Sequence, residues 1–195
     1  MGRTATYFCV DIECSGPVPG LYDMISLGCV PVVADGPGRY RVVDAKFYVE
    51  IRPTAPHVDP GAMKVNKLDI DALRRDGLPL ADALAQLDAF VAANLLPRTT
   101  PVFVGHNAPF DWSFVSHAYH VADRKNPFGY KALDTKALSM GVLKLHWLDT
   151  NKEILAERLT LPEVVEDSVH RADYDAWYQA HILARLLEAG GFSEA

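Results

Sequence analysis

The chain has 195 residues, 49% of them hydrophobic and 23% charged, with a mean hydropathy of +0.01. At ~100–200 residues per domain this fits one domain with a real core and excludes a disordered or low-complexity chain. Nineteen basic against 25 acidic residues leave a net charge of −6, unlike a protein that wraps long duplexes by neutralising phosphates, although a bound metal ion can reverse the field of an acidic pocket.

Met1 to Val10 carries a single Arg and a short apolar run leading into two acids, so it reads as a first strand rather than a signal peptide. Thr4 to Ile12 alternates around Tyr7, Phe8 and Val10 as a buried strand does. Met24–Ala34 and Tyr40–Ile51 are β-branched and aromatic runs joined by Asp35-Gly36-Pro37-Gly38, the pattern of an antiparallel hairpin. Uninterrupted apolar stretches such as Cys29–Ala34 are too short to span a bilayer. Prolines 53, 56 and 60 with Gly61 mark Arg52–Asp71 as mostly loop, with a helical turn near Val65. Leu80, Leu84, Leu87, Phe90, Val91 and Leu95 follow helical spacing. A short strand over Pro101–Gly105 meets Asn107-Ala108-Pro109, an N-cap and early proline for a helix reaching about Val121. Lys131–Met140 reads as strand turning into helix, Lys152–Leu159 as a helix, and Arg171–Ala189 as a last helix with Ala176, Ala180, Leu183 and Leu187 on one face. The order predicts an α/β mixed sheet with helices on both faces. Three cysteines, Cys9, Cys14 and Cys29, cannot all pair and form no Cys-x-x-Cys, which suits a reduced cytoplasmic setting and not zinc.

Three segments concentrate acids. Asp11 and Glu13 end the first strand and, by alternation, point the same way, while Val10 and Ile12 face the opposite layer. Neighbouring carboxylates repel, so one takes a proton unless a cation is shared; hard oxygen ligands suit Mg²⁺ or Mn²⁺. A strand end emerging into water is the plain alternative. Asp111, in Gly105-His106-Asn107-Ala108-Pro109-Phe110-Asp111, sits in a first helical turn, where an acid also suits the helix dipole. His170 and Asp175 are five residues apart, about 140° around a helix, so they converge only if His170 lies in the loop before it.

In order, Asp11-Ile12-Glu13-Cys14-Ser15-Gly16, His106-Asn107-Ala108-Pro109-Phe110-Asp111 and His170-Arg171-Ala172-Asp173-Tyr174-Asp175 resemble the three motifs of the DEDDh 3′–5′ exonucleases, the family of proofreading exonucleases, ribonuclease T and oligoribonuclease. The resemblance spans residues 7 to about 187. It departs at Cys14-Ser15, where threonines are common, and a thiol beside a metal site predicts sensitivity to oxidation.

The resemblance implies a ribonuclease-H-like mixed five-stranded sheet and one exonuclease domain over 1–195 with its core at about 4–189. It implies that Asp11, Glu13, Asp111 and Asp175 hold two Mg²⁺ or Mn²⁺ ions and that His170 is the general base. Two such ions can bind one scissile phosphate, activate a water and stabilise the departing 3′ oxygen, and a histidine of ordinary pKa ~6.5 can take the water's proton. The implied reaction is phosphodiester hydrolysis at single-stranded 3′ ends of RNA or DNA, releasing nucleoside 5′-monophosphates. Ser15 and Gly16 are expected against the terminal sugar, Leu21, Tyr22 or Met24 either as a wedge beside the last base or as core or loop packing, and Asn107 as a substrate contact or a cap alone. Phe110 either stacks on a base or fills the core below the helix start, with the core preferred; Asp173 is assigned to the solvated first turn, and Arg124, Lys125, Lys131 and Lys136 are candidate phosphate contacts or plain surface. Some relatives pair into dimers, and a homodimer is left open.

Two other readings compete. A binding or polymerase-accessory module would keep the fold without turnover, yet would have no reason to retain four converging carboxylates. A thiol hydrolase built on Cys9 or Cys14 is opposed by the acids sharing the Cys9 face, which would quench a thiolate. Within the nuclease class, a short-oligomer hydrolase differs only in substrate length.

Overall fold

The computed structural model describes residues 4–165 and 170–193. β1 (Thr4–Cys14) runs antiparallel to β2 (Met24–Ala34); on its other side it runs parallel to β5 (Thr99–Gly105), and β5 to β6 (Ala132–Asp134). The order is β3-β2-β1-β5-β6, with β3 (Tyr40–Val42) and β4 (Phe47–Glu50) both on the outer edge of β2.

The sheet therefore has six strands rather than five, because the run 40–51 is interrupted. Pro31 accepts the Val43 N–H at 2.9 Å but has no N–H to return, and the partner leaves the ladder there, rejoining at Phe47 opposite Cys29. The proline-rich stretch is also more ordered than its composition suggests. Asp59 caps α1 (Pro60–Asn66) by accepting the Gly61 N–H at 2.7 Å, with Pro60 at the first helical position. Asp69 caps α2 (Ile70–Asp76) through the Asp71 and Ala72 N–H groups. The cap-plus-proline signal outweighs the prolines' loop propensity.

Two layers cover the sheet. On one face α3 (Leu80–Asn94) and α4 (Ala108–Val121) pack on Phe8, Val10, Ile12, Leu27 and Phe103, all buried, with Phe128 and Trp112 against Phe103. On the other, Ala176, Ala180, Leu183 and Leu187 of α7 (Ala172–Ala189) lie on Cys9, Val30, Val32 and Val104. The predicted alternation of β1 holds: Val10 and Ile12 face α3 and α4, and Cys9 faces α7. α5 (Thr135–Leu143), through Leu138 and Val142, and α6 (Lys152–Leu159), through Leu155 and Leu159, flank α7 at Ile182 and Leu186. No helix among the described residues is long and apolar enough to cross a membrane.

Candidate active site

β1 ends between the two helical layers, and its last residues meet the start of α4 and the start of α7. α7 reaches the strand because β2 offers it a glycine: Gly28 pairs with Asp11, and a Cβ there would overlap the backbone of Ala172. This close approach sets Asp175, 5% exposed in the first turns of α7, beside Asp11 and Glu13. From the other layer α4 contributes Asp111, 6% exposed, whose Oδ1 accepts the Ile12 N–H at 3.2 Å. His170 stands just before α7 with φ +67°, and its backbone N–H donates to Asp175 Oδ2 at 2.8 Å. Sequence spacing required a pre-helix position for His170 to meet Asp175, and it occupies one.

Asp11, Glu13, Asp111, Asp175 and His170 thus line one cleft of about 380 Å³, together with Ile12, His106, Asn107, Phe110, Lys152 and Glu153. One donor atom from each of Glu13, His170 and Asp175 lies within 4.8 Å of the others. The acids pay electrostatically for this closeness. Burial, then the neighbouring Asp111, holds the Asp11 carboxyl well above its usual range. Burial and the charges of Asp175 and Asp111 push Glu13 up to about 8. Burial raises Asp111 to about 7 against the pull of the Ile12 N–H. Carboxyl groups so disposed to keep protons at neutral pH form a set of hard oxygen donors that a divalent cation would ionise and hold.

Several supporting residues escaped the sequence reading. Gln179 is buried and donates Nε2–H to Asp11 Oδ1 at 2.5 Å, while its Oε1 accepts the His106 N–H at 3.1 Å. Because a backbone N–H can only donate, this second bond fixes which way the amide faces. Its i, i+4 spacing from Asp175 places both on one side of α7, a signal that was present in the sequence. Asp134 Oδ1 accepts the N–H groups of Asn107, Ala108 and Lys136, tying the α4 entry to β6. His106, lowered to about 3 by burial and by Lys152, is a neutral ring bonded to Thr135 Oγ1 at 2.9 Å. Lys152 pairs with Asp175 Oδ1.

Other expected contacts lie elsewhere. Ser15 is 1% exposed and its Oγ accepts the Asp23 N–H, so its hydroxyl shapes the loop instead of facing the cleft. Gly16 lines an adjoining cleft with Pro17, Val65, Asn66 and Phe110. Met24 is buried in a separate cavity with Tyr22, Ile51 and His117, and Leu21 lines another with His57 and Thr54; neither borders the carboxylates. Phe110 is exposed between the two clefts, not in the core, because the α4 entry turns its ring outward. Asn107 holds the N-cap position in left-handed backbone (φ 73°) and makes no side-chain capping bond, the role Asp134 takes. Asp173 is 17% exposed in its side chain and paired with Arg171 rather than solvated. Arg124 is bound to Asp88, away from the cleft, while Lys131 and Lys136 lie over Tyr130 and Trp147. Cys14 is buried, and burial followed by the neighbouring acids raises its thiol. Cys9 is raised by burial, not by the acids first expected to do it.

The RNase_T exonuclease family matches residues 8–183. A 3′–5′ DNA exonuclease of Escherichia coli, Cap18, is 38% identical over 179 residues, covering 92% of this chain and 89% of its own. A ribonuclease T of Actinobacillus pleuropneumoniae is 25% identical over 193 residues, covering 94% and 85%. Among solved structures, the nuclease domain of 3′hExo, a DEDDh family member bound to rAMP, superposes with a TM-score of 0.74 at 13% identity over 96% of this chain and 94% of that one. The zinc-bound Escherichia coli ExoI–ssDNA complex gives 0.69 at 16% identity over 94% of this chain and 40% of that one. The six-stranded mixed sheet, the order of its acidic motifs and these likenesses agree, and the chain belongs to the RNase_T family of exonucleases.

Proposed function

We propose that the protein is a metal-dependent 3′–5′ exonuclease that hydrolyses single-stranded ends one nucleotide at a time, releasing nucleoside 5′-monophosphates. The observation that carries this reading is the gathering of Asp11, Glu13, Asp111, Asp175 and His170 from three distant segments into one cleft. The donor set fits Mg²⁺ or Mn²⁺: four carboxylates from two helices and a strand, three of them held above their ordinary pKa by burial and mutual charge. Asp11, Glu13, Asp111 and Asp175 would hold two ions, which when bound supply charge neutralisation at the scissile phosphate and a more acidic water.

The chain's own residues do the rest. The Gln179 amide and the Ile12 N–H orient Asp11 and Asp111. The His170 imidazole, exposed at the cleft, takes the proton of the attacking water, while its backbone N–H holds Asp175. Phe110, half-exposed beside the carboxylates, offers a ring to the terminal base, and the cleft bordered by Gly16 and Asn66 receives the adjoining nucleotide. The acidic balance favours a footprint of a few nucleotides. The relative at 38% identity acts on DNA, so single-stranded DNA is the first substrate proposed. The same reading takes residues 4–189 as one catalytic domain working in a reducing cytoplasm, in keeping with three unpaired, buried cysteines.

The test is product analysis on matched 5′-labelled DNA and RNA oligomers of several lengths, with Mn²⁺ and with chelator. A ladder shortening from the 3′ end, with mononucleotides released only when metal is present, is the expected result. Identical intact strands in both conditions would favour the non-catalytic module.

A further inference from the structure

Lys152 is a cation where helix electrostatics disfavour one. It is the first residue of α6, whose N-terminus is already the positive end, capped by Asn151 Oδ1 accepting the Ile154 N–H at 3.0 Å. Leu155 and Leu159, at i+3 and i+7 from Lys152, share its face of the helix and are buried against Ile182 and Leu186, which turns Lys152 inward toward the cleft. Its side chain is 31% exposed, and its ammonium pairs with Asp175 Oδ1 while Asp175 Oδ2 takes the His170 N–H. Both oxygens of that carboxylate therefore have partners within the chain. The Lys152 charge also acts on Asp11, Asp111 and Glu13. The facing carboxylates hold the ammonium above its ordinary pKa, although burial opposes them.

We infer that Lys152 is a tethered counter-cation that occupies Asp175 in the metal-free enzyme and must be displaced for a divalent ion to bind there, so that it sets the metal concentration at which the site fills. This rests on reading the cleft as a divalent-metal site. A monovalent ammonium on a flexible four-carbon stem is suited to such exchange, since it can swing away without moving the backbone. It stabilises the empty carboxylate cluster and competes with the ion that replaces it.

The experiment compares wild type with Lys152→Met, Lys152→Gln and Lys152→Arg, by Mn²⁺ titration calorimetry and by thermal melting in chelator. The two charge-free variants are expected to melt lower without metal and to bind Mn²⁺ about tenfold tighter, the scale for removing a close like charge from a partly screened site. Lys152→Arg should restore both wild-type properties. If a charge-free variant is unfolded in chelator, refolding on addition of Mn²⁺ supports the inference and failure to refold overturns it. Equal or weaker Mn²⁺ affinity in folded Met and Gln variants overturns it while leaving the metal site intact. An Arg variant that behaves like Met also overturns it. Absence of Mn²⁺ binding to the wild type itself would instead remove the metal reading, and this inference with it.

Discussion

The two faces of β1 are packed on different principles. Toward α3 and α4 the contacts are side-chain rings, Phe8, Phe103, Phe114, Phe128 and the edge of Trp112. Toward α7 small residues bring the helix close: Ala176 and Ala180 pack against Cys9, and Gly28 of β2 lets the Ala172 backbone approach the sheet backbone. A large-ring face can repack around a lost methylene, whereas a backbone contact leaves nothing to move. Asp175 and His170 belong to the close face, so the tightest tolerance in the fold coincides with the residues proposed to do chemistry.

Removing the acid that the close face delivers should have the largest effect. Asp175→Asn is expected to lower kcat by about 10²–10³-fold or more, the scale for losing one preorganised charge-stabilising group, while circular dichroism stays native. Full activity in this variant would sink the metal-ligand assignment. Gly28→Val attacks the contact itself. Its side chain meets the Ala172 backbone, and overpacking of this kind costs about 1–3 kcal/mol or more. Chemical denaturation should register that loss, with activity falling further than stability explains because Asp175 shifts with its helix.

The pH dependence of the metal-free protein comes next. Glu13 and Asp111 have folded-state values raised to about 8 and about 7, so the folded state binds more protons than the unfolded one between roughly pH 4 and 8. Their contribution is thus fully favourable below the unfolded values and is lost as pH rises toward 8. Melting in chelator should fall across this window, and saturating Mn²⁺ should flatten the slope; a flat chelator profile would contradict the burial of these acids. The smallest effect belongs to the large-ring face: Phe128→Leu should cost about 1–1.5 kcal/mol and leave kcat/KM unchanged. If it impairs catalysis as Gly28→Val does, the contrast between the faces fails.

Much of this was written in the chain at the level of patterning. The alternation of Val10, Asp11, Ile12 and Glu13 was enough to place the two acids together, and the five-residue spacing of His170 and Asp175 to place the histidine outside the helix. Spacing within a segment carries no record of what other segments bring. Lys152 reads as an ordinary first-turn lysine, and only the packing of Leu155 and Leu159 turns it inward. Ser15, Leu21 and Met24 were grouped by closeness to the first motif, but the loop after β1 folds back through the Ser15–Asp23 bonds and carries them away from the acids. The interruption of the edge strand depended on a proline in its neighbour, a residue remote in sequence from the break.

The left-handed backbone at His170 separates two jobs within a single residue. Its peptide nitrogen anchors a carboxylate, and a nitrogen of its ring lies within 4.8 Å of Glu13 and Asp175, where the proposed reading has it take a proton. Alanine there deletes only the ring and therefore reports on the chemical step, whereas proline deletes the anchoring hydrogen and imposes a negative φ, reporting on how Asp175 is held. The same position can thus be interrogated twice, and the two answers need not agree.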